Sequence, residues 1–196
     1  MNLSDFIKVY DFIGSIELLE GKRKVNPSDK YSLILLGELL AKRTKYIKFM
    51  SGNAPGADEL FCKGVSLVDN KRIELIIPDN KHRRKNRNGI EAVSLDEINL
   101  LHEPEIVFQS KSNIKTKHLT DRFVYGYKDN ITIKASYIIR DTIKVLGIKG
   151  IQPASFGIIY DDLKKPKTGG TGHTIKICEL NNIPVINQCI WKKWLL

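Results

Sequence analysis

Two rhythms of apolar residues alternate along this chain, and their alternation predicts its architecture. Lys8 to Ile13 reads as a short strand-like run stopped by Gly14-Ser15, and after Ser28 or Asp29 the leucines at 33, 36, 39 and 40 fall at helical spacing. Tyr46 to Met50 reads as a second strand, broken at Ser51-Gly52-Asn53-Ala54-Pro55-Gly56. Leu60, Phe61, Gly64, Val65 and Val68 then recur with a helical period, and Arg72 to Ile77 forms a third strand ended by Pro78. Strands alternating with helices in this way signal parallel pairing through right-handed crossovers.

The pattern weakens over 79–130, which is polar and basic, with one short helical stretch at Ser94 to Leu101. A structureless loop of that length is unusual in a compact domain, so the segment is expected to be an insertion with structure of its own. Periodicity returns at Ile131, Ala135, Ile138, Ile139, Ile143 and Leu146 and ends at Gly147, a suitable C-terminal cap. A strand at Ser155 to Tyr160, a turn-rich loop from Asp161 to Gly170, a helix from Thr171 to Leu180 and a last strand at Pro184 to Ile186 follow. Trp191 and Trp194 lie on one face of a C-terminal helix and read as cover for the core. The expected fold is therefore α/β: a Rossmann-like open, mainly parallel sheet of about five strands with flanking helices, in a single domain over 1–196 with a basic insertion at about 79–130.

Composition narrows the class. The chain has 196 residues and 42% hydrophobic residues, enough to bury a core without disulfides. Its apolar runs are too short for a membrane span, and no signal-peptide pattern precedes them, so a soluble cytoplasmic protein with no membrane partner is expected. The three cysteines, Cys62, Cys178 and Cys189, are widely spaced and fit reduced thiols, and the histidines at 82, 102 and 118 are too scattered to suggest a metal. The formal net charge is +10, and the segment Lys81, Arg83, Arg84, Lys85 and Arg87 concentrates five positive charges with no acid among them. That cluster is either a solvated loop or a phosphate-contacting patch.

Chemistry is concentrated in three glycine breaks, each placed after a strand: Gly14-Ser15, Ser51 to Gly56, and Gly169-Gly170-Thr171-Gly172-His173. With strand order 3-2-1-4-5, the loops after strands 1, 2 and 4 meet at the crevice where the order reverses. The last two run into helices whose first N–H groups lack intrahelical acceptors and suit an anion. Thr171 or Thr174 would cap the final helix or bond a phosphate oxygen, and His173 would add a titratable donor. Asp58 opens the second helix, where it either stabilises the dipole or accepts from a ribose hydroxyl or acts as a base. Arg140 is either solvated or a bidentate phosphate clamp.

Ile13-Gly14-Ser15, Ser51-Gly52-Asn53-Ala54-Pro55-Gly56-Ala57-Asp58 and Gly169-Gly170-Thr171-Gly172-His173-Thr174 with Ile183-Pro184-Val185 resemble the SLOG superfamily of Rossmann-like domains. That group includes the DprA and LOG families and small phage and bacterial proteins, and the phage branch matches best, helped by Arg140 to Gly147. The resemblance implies a nucleotide or other phosphate-bearing ligand held by Gly14, Ser15, Ser51, Gly52, Asn53, Gly56, Asp58, Arg140 and 169–174, with no required cofactor. It also implies that any activity would be nucleotide N-glycosidic hydrolysis or a phosphoribosyl-type hydrolysis. His173 stands where the LOG pattern has a threonine and Lys176 where it has a glutamate, which leaves Asp58, Asp161 and Glu179 as the candidate catalytic carboxylates.

Resemblance to DprA supports an alternative reading, single-stranded DNA held by Lys81, Arg83, Arg84, Lys85 and Arg87. Phe123, Tyr125 and Tyr127 are the aromatics that such a ligand could stack on, or that packing could bury. A homo-oligomer stays open, as does the host cytoplasm as location if the gene is phage-borne.

Overall fold

The computed structural model describes residues 1–87 and 89–196. In chain order the elements are α1 (Leu3–Tyr10), β1 (Ile16–Gly21), α2 (Lys30–Arg43), β2 (Lys48–Ser51), α3 (Ala57–Ser66), β3 (Ile73–Ile77), β4 (Ala92–Ser94), α4 (Pro104–Ser110), α5 (Lys117–Val124), α6 (Ile133–Leu146), β5 (Phe156–Tyr160), α7 (Gly169–Leu180), β6 (Val185–Ile186) and α8 (Gln188–Trp191). All six strands are parallel, in the order β4-β3-β2-β1-β5-β6. Without β4, this is the 3-2-1-4-5 order expected from the sequence, and it reverses between β1 and β5.

Two apolar layers cover the sheet. On one face Phe6, Leu36, Phe61, Trp191 and Trp194 bring α1, α2, α3 and the C-terminal turns together; on the other, Ile106, Leu119, Ile139 and Ile177 bring α4 to α7. Both tryptophans are buried, which bears out their reading as core cover. The α2 and α3 backbones touch through glycine, since a Cβ on Gly64 would lie 2.0 Å from Ile34 O and one on Gly37 2.3 Å from Phe61 O.

The first strand is not where the pattern put it. Residues 3–10 are a helix whose Leu3, Phe6, Ile7 and Tyr10 pack at i, i+3, i+4, i+7 spacing. Asp11 closes it off by accepting from the backbone N–H groups of Lys45, Tyr46 and Ile47, just before β2. The true strand is Ile16-Glu17-Leu18-Leu19-Glu20-Gly21, whose two glutamates disguise a segment buried along almost its whole length. Gly14 and Ser15 consequently precede β1, at the amino edge of the sheet, away from the other two glycine loops.

The segment 79–130 is ordered in short pieces: β4 extends the sheet, and α4 and α5 pack on α6. Single 3-10 turns at Leu95–Glu97 and Leu100–His102 replace the helix expected at 94–101, because Ser94 and Asn99 each fold back to cap the turn after them. Among the described residues no helix is long and apolar enough to cross a membrane.

Candidate functional site

A crevice of about 1240 Å³ crosses the carboxyl ends of β1 and β5. Its walls are the loop after β1, the loop from Asp161 to Thr168, the start of α7 and the first turns of α6, and Asn113, Lys115 and Thr116 close one end. Asp29, Tyr160 and Lys192 close the other, with Tyr160 Oη donating to Asp29 Oδ2 at 2.9 Å and Lys192 Nζ 2.6 Å from Asp29 Oδ1.

A buried chain of charges lies beneath it. Asp58 accepts from Gly21 N–H at 3.1 Å and from Ala54 N–H at 3.3 Å, so it ties the loops after β1 and β2 together. Burial raises its pKa to about 6, with Asp141 adding to the rise and Arg140 opposing it. Arg140 donates to Gly52 O at 2.9 Å and to Asp141 Oδ1 at 3.0 and 2.6 Å. Lys144 then reaches Asp141 at 3.0 Å and also pairs with Glu20 at the end of β1. Burial raises the Asp141 pKa and lowers that of Lys144.

This network explains the second glycine loop without any ligand. A Cβ on Gly52 would lie 2.6 Å from Arg140 Cζ, and one on Gly56, at φ +96°, would lie 2.3 Å from Arg23 O. Ser51 Oγ donates to Leu19 O at 3.0 Å, and Asn53, at φ +52°, offers its carbonyl to Arg83 at 3.1 Å and to His82 at 3.3 Å. Asp58 thus ties these loops together while lining the crevice, and Arg140, which lines it too, bonds Gly52 and Asp141.

The last loop is the open one. α7 has no side-chain cap, and its first residues, Gly169, Gly170 and Thr171, line the crevice with both glycines exposed. Lys22 Nζ donates to Thr168 O and Oγ1 at 2.7 Å each and lies 3.6 Å from Asp161, joining the loop after β1 to the start of α7. The second and last glycine loops therefore share one edge, as expected from the sequence.

Several site residues expected from the sequence lie elsewhere. Gly14 and Ser15 are at the opposite edge. Gly172 packs against Lys167, where a Cβ would come within 2.1 Å of backbone, and Thr174 back-bonds to Gly170 O. His173 faces α6 instead of the crevice, with Nε2 2.9 Å from Thr142 Oγ1, and burial pushes its pKa down to about 4. Glu179 lies farther along α7, exposed and paired with Lys167 at 2.5 Å. Asp161 lines the crevice, but its oxygens accept from the N–H groups of Asp162 and Lys167 and close its own loop. In the basic cluster, Arg83 pairs with Glu59 at 2.9 Å and Arg87 bonds the carbonyls of Asn80 and His82, leaving Lys81, Arg84 and Lys85 exposed.

The residues not anticipated are Lys22, Arg23, Lys24, Lys115, Lys134, Tyr137, Asp141, Lys144 and Lys164. Arg23 and Arg140 sit 5.5 and 5.4 Å from the ring centroid of the half-buried Tyr137. A signal for part of this existed: Arg140, Asp141 and Lys144 lie among the apolar positions of a long helical stripe, where charges are buried only when paired.

The high pKa of Asp58 gives a pH dependence. Its value is about 6 when folded against 3.8 as the ordinary value, so the folded state holds the proton more tightly. The stabilisation from that proton is complete below about pH 4 and is lost as pH rises through 6, a difference approaching about 3 kcal/mol. Asp58→Asn should therefore gain stability relative to the wild type as pH rises from 4 to 7, measured by urea unfolding. A gap that stays constant over that range would mean that Asp58 titrates as an ordinary carboxyl.

The sheet order and the crevice at its reversal define a doubly wound, Rossmann-like α/β protein. No protein-family model matches the chain, and no curated protein matches it. Among solved structures it is similar to DNA processing protein A from Helicobacter pylori, described for its single-stranded DNA binding mode, with 14% identity over 92% of this chain and 67% of that one, at a TM-score of 0.48. It is also similar to DprA from Streptococcus pneumoniae, with 13% identity over 93% of this chain and TM-score 0.47. The chain spans about half, 51%, of that second protein's length. The fold assignment rests on the sheet order itself.

Proposed function

We propose that the protein binds single-stranded nucleic acid across the carboxyl edge of its sheet. The observation that supports this is an arc of cations with no ion-pair partner among the described residues. It runs from Lys81, Arg84 and Lys85 after β3, through Arg23 and Lys24 after β1, to Lys164 after β5, with Lys115 and Lys134 at the crevice end. The strands from β3 to β5 are three spacings apart, about 14 Å. One phosphate cannot touch all of these groups, and a chain of phosphates can. The uncapped start of α7 adds backbone donors at the β5 end of the arc.

A second reading is carried by the enclosed part of the site. A nucleotide or nucleotide-derived molecule would place phosphate on Gly169 and Gly170 and its base against Tyr137, and a hydrolytic step would draw on Asp58 or Asp161. The readings separate by fluorescence anisotropy with labelled dT20 and labelled adenosine monophosphate. On the first, dT20 binds far more tightly, with a log–log salt slope of several units at about 0.7 per phosphate. Equal affinity for the two probes, with a dT20 slope near one, would replace the first reading with the second.

A further inference from the structure

We propose that the turn after α5 forms a second contact segment for the strand, in which Tyr125 and Tyr127 are base-stacking surfaces; this rests on the nucleic-acid reading above. Phe123, the first of the three alternate aromatics, is buried in the core, but Tyr125 is 74% exposed and Tyr127 59% exposed. Neither ring stacks on another ring of the protein among the described residues.

The rings stand on an ordered pedestal. Tyr127 N–H donates to Arg122 O and Gly126 N–H to Phe123 O, both at 3.0 Å, with Gly126 at φ +93°. That is the double bond pattern of a Schellman cap, and it fixes the backbone on both sides of Gly126. Such caps usually pack an apolar side chain of the residue in Tyr127's position against one in Arg122's. Here the Arg122 guanidinium lies 5.5 Å from the Tyr127 ring centroid and 3.3 Å from Asp129, which in turn accepts from Ile131 and Thr132 N–H. An aromatic ring held in place by a cation and left open to solvent offers a base a stacking face at little ordering cost.

Position and charge select the occupant. Lys115 and Thr116 line the crevice immediately before α5, whose 8 residues make it about 12 Å long. After the turn the chain enters α6, where Lys134 and Tyr137 line the crevice again. The tyrosines thus lie within a few nucleotides of the crevice, one helix length from Lys115 and Lys117 and just before Lys134, which pair with no acid among the described residues. Phosphates complement those lysines.

The test is anisotropy with labelled dT20 and dT4 on the wild type and on Tyr125→Ala/Tyr127→Ala. The double variant is expected to weaken dT20 about fivefold or more for each ring removed, to leave dT4 nearly unchanged, and to keep the salt slope, because stacking releases no counterion. Tyr125→Phe/Tyr127→Phe should restore dT20 affinity. Wild-type affinity for dT20 in the alanine variant, or equal losses for dT4 and dT20, would overturn the inference. So would sedimentation showing a wild-type dimer that the alanine variant abolishes without loss of dT20 binding, since the turn would then be a self-association surface. A wild type that binds neither oligonucleotide removes the nucleic-acid reading, and this inference with it.

Discussion

Replacing Lys144 with methionine should cost about 3–5 kcal/mol of folding stability, the usual consequence of leaving a buried charge without its partner. The Lys144 side chain is fully buried, and its ammonium stands between Glu20 and Asp141. Asp141 would keep Arg140, but no other cation approaches the buried carboxyl of Glu20 among the described residues. The double variant Lys144→Met/Glu20→Gln should recover most of the loss, because a neutral amide carries a far smaller burial penalty. Urea unfolding at pH 7 measures both. A single variant with the wild-type midpoint would mean that Lys144 is held neutral, as its burial favours. Because Arg140 links the same network to Gly52 O, the single variant should also loosen the second glycine loop.

Most of this architecture is legible where burial and local pattern agree. α2, α3 and α6 present long apolar stripes, and the β2, β3 and β5 segments are apolar runs bounded by turns, so the sheet order and the shared edge of the Ser51 and Gly170 loops follow. The pattern misleads where polar side chains are buried. Glu17 and Glu20 make β1 look like surface, although Glu17 is buried, with no hydrogen-bond partner for either oxygen among the described residues, and burial raises its pKa well above the ordinary value. With β1 disguised, the preceding helix passes for the strand, Gly14-Ser15 falls on the wrong edge, and the true first loop, Gly21 to Lys24, goes unmarked.

Tertiary packing accounts for the rest. The insertion is assembled from one-turn and two-turn elements too short to show a period, and its order comes from packing on α6. Nothing local marks Arg83 as a support of the second glycine loop, because its partners Asn53 and Glu59 are brought to it by the fold, whereas Arg87 braces its own loop at Asn80 and His82. Conversely, five cations without an ion-pair partner among the described residues, Arg23, Lys24, Lys115, Lys134 and Lys164, are scattered along the chain from position 23 to position 164. Only the sheet order collects them at one edge.

Those five cations carry the largest expected effect on binding. Changing Arg23, Lys24, Lys115, Lys134 and Lys164 together to glutamine should lower the log–log salt slope for dT20 by about 0.7 for each phosphate no longer neutralised, and at 0.1 M salt each such pairing is worth roughly fivefold in affinity, or up to about three-thousandfold in all. Substituting the Lys81 to Arg87 cluster is the weaker test, because the loss of Arg83 would release Asn53 and Glu59 and mix unfolding of the second loop with the change in charge. Gly170→Val serves as the contrast. A Cβ there would lie 3.3 Å from Asp141 Oδ2, and the rest of the side chain would cover the exposed N–H groups of α7, with the charge of the arc unchanged. A strand gripped along its length should lose most in the glutamine variant and only a fraction in Gly170→Val. A single nucleotide seated on α7 should show the reverse, losing binding with Gly170→Val and keeping most of it when the rim is neutralised. Should the glutamine variant bind dT20 with the wild-type slope while circular dichroism shows it folded, the arc is a solvated surface and the nucleic acid, if bound at all, lies on another face.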